Sequence, residues 1–216
     1  MREIHMKAYI LDMDGTLIDS MGLWVQNDKI FLAKRGIAIP DDYDAFVAKT
    51  IPLTPIESAR HIIQHFNLNE KPKDVMEEYN AMALEAYSNT IPLKPGVIEF
   101  LQNLRKQNAK MAIATSAPMV LCMAVLQNNK IVDLFDAICA SEEVGVGKSS
   151  PDIFLLAAKR LEETPKNCVV YDDSLIAIQT AKSIGMTTFG VYDEHNKNEW
   201  EQIKQVADFA ITSFTL

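Results

Sequence analysis

The stretch AYILDMDGTLIDS, residues 8–20, decides the fold. Its first four residues are apolar and partly aromatic or branched, the pattern of a short strand buried on both faces, as in a parallel sheet. Strand side chains alternate, so Asp12 and Asp14 are expected on one side and Met13 on the other. Two carboxylates about 4 Å apart repel by roughly 1 kcal/mol in water and about 4 kcal/mol near a protein surface. A like-charged pair at the mouth of a buried strand needs a compensating charge, and a hard cation with oxygen ligands supplies one. Gly15 permits the backbone to turn away from the sheet immediately afterwards.

Outward from this stretch the pattern changes twice. Leu23, Trp24, Ile30 and Phe31 recur at helical spacing, and Gly36 is placed to stop that helix. Thr54-Pro55-Ile56-Glu57 is a capping box with proline at the first helical position, opening a helix to about Phe66. Another helix is expected from about Pro72 to Tyr87, and no convincing strand lies between residues 20 and 90. After a Pro/Gly hinge at Ile91–Gly96, apolar strand candidates at 111–114, 137–140, 169–171, 187–191 and near Ala210 alternate with helices at about 97–104, 118–128, 151–161, 174–184 and 197–206. Strands alternating with helices imply a doubly wound parallel sheet. The fold expected is α/β, with a Rossmann-like core from residues 1–17 and 90–216 and a small all-α domain, 18–89, inserted after the first strand. The connections Ile18–Gly22 and Asn89–Pro95 are where that domain is expected to swing.

The 216 residues are 48% hydrophobic and carry a net charge of −8, which disfavours a nucleic-acid backbone as partner. A small anionic ligand stays possible, because one metal and one lysine can reverse the local field. Cys122, Cys139 and Cys168 are odd in number and lack metal-ligand spacing, the signature of reduced, buried thiols. The segment MREIHMK has no apolar signal core, and the apolar run 111–126 is interrupted and too short to span a bilayer. These features predict a cytoplasmic protein with no membrane partner.

Ligands of open α/β sheets gather at the carboxyl ends of the strands. Here those ends carry Asp12-Met13-Asp14-Gly15-Thr16, then Thr115-Ser116, then Asp172-Asp173, with Lys148 in GKSSPD before the helix at 151. Singly each has a bland reading as a cap, a turn former or a solvated lysine. Together, in this order on one sheet, they resemble the four motifs of the haloacid dehalogenase (HAD) superfamily: DMDGT, IATS, GKSSPD and YDDS. The helical insertion resembles the cap of the subgroup that includes phosphoglycolate phosphatase and β-phosphoglucomutase.

The resemblance implies a Mg²⁺-dependent phosphatase of a small phosphorylated metabolite, with a central first strand flanked by the strands of the second and fourth motifs. It implies Asp12 as nucleophile forming an aspartyl-phosphate and Asp14 as general acid and then base. Gly15, Thr16, Thr115, Ser116, Ala117 and Lys148 would surround the phosphoryl group, with Trp24 at the substrate pocket. Asp12, Asp173 and the Asp14 backbone carbonyl would hold the metal, with Asp172 as a further candidate ligand. Electrostatics supports those roles, since Mg²⁺ and Lys148 would offset the repulsion between a carboxylate and a phosphate dianion. Trp24 stands where an ungapped count puts a mutase histidine, and the segment KTIPLTPIES lacks an arginine for a second phosphate. Both count against the alternative, a phosphomutase. A dehalogenase would not need Asp14 or the acidic pair, and a non-catalytic relative would have no reason to keep all four motifs. GVGKSS lacks the first glycine of a P-loop because Glu142 stands there. His61 and His65 lack the glutamate of a zinc motif and read as solvent-facing.

Overall fold

Alternation along the central strands builds two cores from one sheet. In the computed structural model, which describes residues 8–50 and 53–215 apart from the side chains at 44 and 48, six strands run parallel. They are β1 (Ala8–Leu11), β2 (Lys110–Thr115), β3 (Ala137–Ala140), β4 (Cys168–Asp172), β5 (Thr187–Val191) and β6 (Phe209–Ile211), in the order β3-β2-β1-β4-β5-β6. β1 is central, with Ile10 opposite Ala112 on β2 and Val170 on β4, as the motifs imply. The N-terminal segment 1–7 and residues 51–52 lie outside the described residues.

Among the described residues ten α-helices follow in chain order: α1 (Met21–Lys34), α2 (Tyr43–Thr50), α3 (Pro55–His65), α4 (Pro72–Asn89), α5 (Val97–Lys106), α6 (Met119–Asn128), α7 (Ser141–Val144), α8 (Asp152–Arg160), α9 (Leu175–Ser183) and α10 (Trp200–Val206). One sheet face presents Leu11, Met111, Ile113, Val169 and Tyr171 to Val97 and Leu101 of α5 and Leu121 and Val125 of α6. The other presents Ala8, Ile10, Ala112, Ala114 and Val170 to Phe154 and Ala157 of α8 and Ala177 and Ala181 of α9. Small residues on that second face let the helices approach closely. Each fully buried large aliphatic side chain contributes about 1.5–3 kcal/mol, so the period-two pattern fixes the register.

The first four helices form their own core from Phe31, Leu32, Phe46, Ala59, Ile62 and Val75. The Thr54/Glu57 capping box is present, with Glu57 Oε2 accepting from the Thr54 N–H at 2.8 Å. Helix α4 belongs to both cores: Val75 packs among the helices, whereas Ala83 and Tyr87 reach the sheet-side cluster. The two connections to the helical block are zipped together, since Ile18 bridges Leu93 and the Asp19 N–H donates to the Pro92 carbonyl at 3.1 Å. Two short helices went unread in the sequence, α2 and α7. The histidine reading is half corrected: His65 is exposed, but His61 is half-buried and stacks on Phe46.

Candidate active site

Strand ends place the acids. The Asp12 N–H donates to the Tyr171 carbonyl at 2.9 Å, continuing the β1–β4 ladder one residue and setting Asp12 beside Asp172 and Asp173. The chain then turns sharply, with the Leu17 and Ile18 N–H groups both donating to the Met13 carbonyl. Gly15 has φ +77°, and a Cβ there would sit 2.5 Å from Asp173 Oδ2. The glycine is therefore required twice, for its backbone conformation and for the close approach of Asp173.

Asp12, Lys148, Asp172 and Asp173 are between 1% and 6% exposed. Lys148 Nζ donates to Asp12 and, at 2.8 Å, to Asp172 Oδ2. Burial pulls the pKa of Lys148 down, but Asp12 and Asp172 outweigh it and hold the ammonium protonated. Burial raises Asp172 to about 6 despite Lys148. Asp173 is raised well above the ordinary carboxylate value, by burial first and then by Asp12, Asp172 and Asp193. Three carboxylates against one ammonium leave two negative charges when all are ionised. Asp12, Asp172 and Asp173 each offer an oxygen, and these oxygens lie within 4.8 Å of one another. That donor set and charge fit one divalent cation with oxygen ligands.

Asp14 departs from the expected geometry. It lines the same cavity as Asp12 but turns toward the helical block, where one oxygen accepts from Ser20 Oγ at 2.5 Å and from Tyr87 Oη. Trp24 Nε1 donates to the same tyrosine oxygen at 3.1 Å. Burial raises the pKa of Asp14, and the Ser20 and Tyr87 hydrogen bonds partly restrain it. A protonatable carboxyl thus stands a short step from the Asp12 cluster.

One cavity of about 180 Å³ is lined by Asp12, Asp14, Trp24, Thr115, Ser116, Ala117, Lys148, Asp172 and Asp173, which brings together nine of the residues singled out in the sequence. Gly15 and Thr16 sit behind Asp173 instead, with Thr16 Oγ1 donating to Asp173 Oδ1 at 3.1 Å. The Ala117 N–H is taken by Thr115 Oγ1 at 3.0 Å. Ser116 Oγ is buried without a hydrogen-bond partner among the described residues, so its hydroxyl is uncommitted in the cavity. The sequence did not point to the residues that steady the loops. Asn196 Nδ2 donates to Asp173 Oδ2 at 2.5 Å, and Lys94 Nζ joins the Gly15 carbonyl to Asp193 Oδ2 at 2.7 Å. Lys94 and Asp193 lie 99 residues apart, beyond any local signal.

Sheet, cavity and clustered acids together define a doubly wound α/β protein with a candidate active site at the carboxyl ends of its strands. The chain belongs to the haloacid dehalogenase-like hydrolases, whose family model matches residues 6–185. It is 27% identical over 208 residues to hexitol phosphatase B of Escherichia coli (strain K12), covering 96% of this chain and 92% of that one. It is 29% identical over 184 residues to the bifunctional riboflavin kinase/FMN phosphatase of Arabidopsis thaliana; that match takes in 84% of this chain and 47% of the longer protein, so the chain spans about half its length. Among solved structures it is similar to a HAD hydrolase of family IA, variant 3, from Entamoeba histolytica, with TM-score 0.82 at 27% identity over 97% of this chain and 94% of that one. Among the described residues no helix is long and apolar enough to cross a membrane, and the three cysteines are free and buried.

Proposed function

We propose that this protein is a Mg²⁺-dependent phosphatase of a small phosphorylated metabolite, acting in the cytoplasm, with residues 18–89 as a cap over a core formed by the rest of the chain. The observation that carries this reading is Asp12 in a buried acid cluster, bonded to Lys148 and sharing a cavity with the unpartnered hydroxyl of Ser116. Asp12 attacks phosphorus, and the bond to the leaving oxygen breaks as Asp14 donates its proton. Asp14 then takes a proton from water, which attacks the aspartyl-phosphate, releasing inorganic phosphate and restoring Asp12. Lys148, Thr115 and Ser116 hold the phosphoryl oxygens. When bound to Asp12, Asp173 and the Asp14 carbonyl, Mg²⁺ supplies positive charge against the repulsion between carboxylate and phosphate. Asp172, committed to Lys148 and to the Ser174 N–H, orients the lysine. A phosphomutase needs a second anion site for a bisphosphate, and Lys148 is the one cation among the described residues lining the cavity.

The test is phosphate release from a panel of sugar, acid and nucleotide monophosphates, with Mg²⁺ and with EDTA. Metal-dependent release from one class is expected. No release from any, in protein shown to bind Mg²⁺, overturns the reading.

A narrower prediction concerns Tyr87, a positioning residue for Asp14. Tyr87→Phe keeps the buried ring but deletes a donor that lowers the pKa of Asp14. The alkaline limb of kcat/KM, where Asp14 loses its proton, is expected to move up by roughly half to one pH unit, the worth of one hydrogen bond. The rate constant kcat falls by roughly tenfold as the carboxyl loses its hold. An unmoved limb would show that Tyr87 is only packing.

A further inference from the structure

The cavity extends from the acid cluster into the helical block, and its outer wall differs from its floor. Trp24 of α1, Phe46 of α2 and Tyr79 of α4 set three aromatic rings in a wall that is otherwise mostly aliphatic, with Val25, Ile62 and Met76 among its residues. Among its described residues there is no lysine, arginine or histidine, and one acid, Asp28. Asp28 accepts from Tyr43 Oη at 2.6 Å and Tyr79 Oη at 2.7 Å, one hydrogen bond to each oxygen. These bonds fix the carboxylate without neutralising it, because no ion pair to Asp28 occurs among the described residues. Each oxygen keeps acceptor capacity. Two of the wall's hydroxyls are committed elsewhere, Thr50 Oγ1 donating to the Val47 carbonyl at 2.8 Å and Ser58 Oγ to the Thr50 carbonyl at 3.4 Å, and Asn80 is the wall's one amide.

This wall is a poor match for a polyol, which needs several free polar partners, and a worse one for a carboxylate or second phosphate, which Asp28 repels. An aromatic surface beside an uncompensated carboxylate is instead the chemistry that recognises a cationic nitrogen on an apolar body. We infer that the substrate is a phosphomonoester whose leaving group is a compact apolar, ring-bearing alcohol ending in a cationic nitrogen, with Asp28 as the residue that selects it. This rests on the phosphatase reading and narrows it.

A matched series of benzyl phosphates bearing para aminomethyl, methyl or carboxylate groups tests it in the full-length protein with Mg²⁺, with acetyl phosphate as a control that needs no wall contact. The aminomethyl member is expected to exceed the methyl member in kcat/KM on the order of tenfold, and the carboxylate member to fall below it by a similar factor. In Asp28→Asn the ratio of aminomethyl to methyl is expected to collapse toward one. Hydrolysis of acetyl phosphate with a flat or reversed order in the wild type overturns the inference and leaves the phosphatase reading standing. Failure to hydrolyse any of the four overturns that reading itself. The wild-type ordering decides the matter even if the variant does not fold, and a variant that folds and keeps the full preference removes Asp28 from the role.

Discussion

Asp12→Asn is expected to reduce phosphate release by roughly 10⁴-fold or more, the scale of removing a covalent nucleophile. The amide has nearly the shape of the carboxylate but cannot attack phosphorus at a useful rate. The loss belongs to chemistry and not to folding, because Lys148 keeps its bond to Asp172 at 2.8 Å and is not left as an orphaned buried cation. The variant also removes one of the charges that press on Asp173. Its melting temperature should therefore stay within a few degrees of the wild type. Acid-quenched wild-type protein should carry phosphate on the peptide containing Asp12, and the variant should carry none. Turnover surviving in Asp12→Asn, or label found on another residue, would sink the mechanism.

The sheet was legible because its signals are local. The central strands are short apolar runs whose alternation divides two cores, and the acids and Thr115 stand at strand carboxyl ends, where doubly wound sheets collect ligands. Thr54 and Glu57 announced α3 across only three residues. The capping box holds in the structure for the same reason it could be read. Asp14 shows where local reading stops. Alternation places it beside Asp12, but the chain leaves the sheet after Asp12, and the direction of its carboxyl is set by Ser20 and by Tyr87, 73 residues away. Lys94 read as part of a hinge, and its ammonium proved to tie the Gly15 turn to Asp193. Asn196 and Asp28 belong to no sequence motif. Their partners arrive only through the fold, so no spacing rule reaches them. Helix α2 escaped because eight residues with one buried aromatic, Phe46, carry too little periodicity to stand out.

Asp173→Asn is expected to separate metal binding from stability in opposite directions. Asp173 is 2% exposed, faces the charges of Asp12, Asp172 and Asp193, and has Lys94 as its nearby favourable charge. Thr16 and Asn196 already donate to its two oxygens, so an amide can keep part of that hydrogen bonding. Losing a direct oxygen ligand should raise the Mg²⁺ concentration for half-maximal activity by at least the ~10–100-fold typical of disturbing a ligand's supporting partners. Turnover at moderate Mg²⁺ should fall on the order of 10²–10³-fold. Stability without metal should go the other way. The pKa of Asp173 is higher in the folded chain than in the unfolded one, so its ionisation favours unfolding. The wild type therefore loses stability as pH climbs from the ordinary carboxylate range through the raised folded value. The asparagine variant lacks this loss and should melt at least as high as the wild type in metal-free buffer at neutral pH. Mg²⁺ should then reverse the order. Saturation at a hundred times the dissociation constant stabilises the wild type by about 2.7 kcal/mol, while the variant gains little at the same concentration. Thermal melts of both proteins with Mg²⁺ and with EDTA read all four states. Equal responses to Mg²⁺ would remove Asp173 from the metal site, and a metal-free variant that melts well below the wild type would mean that its buried carboxylate serves the fold.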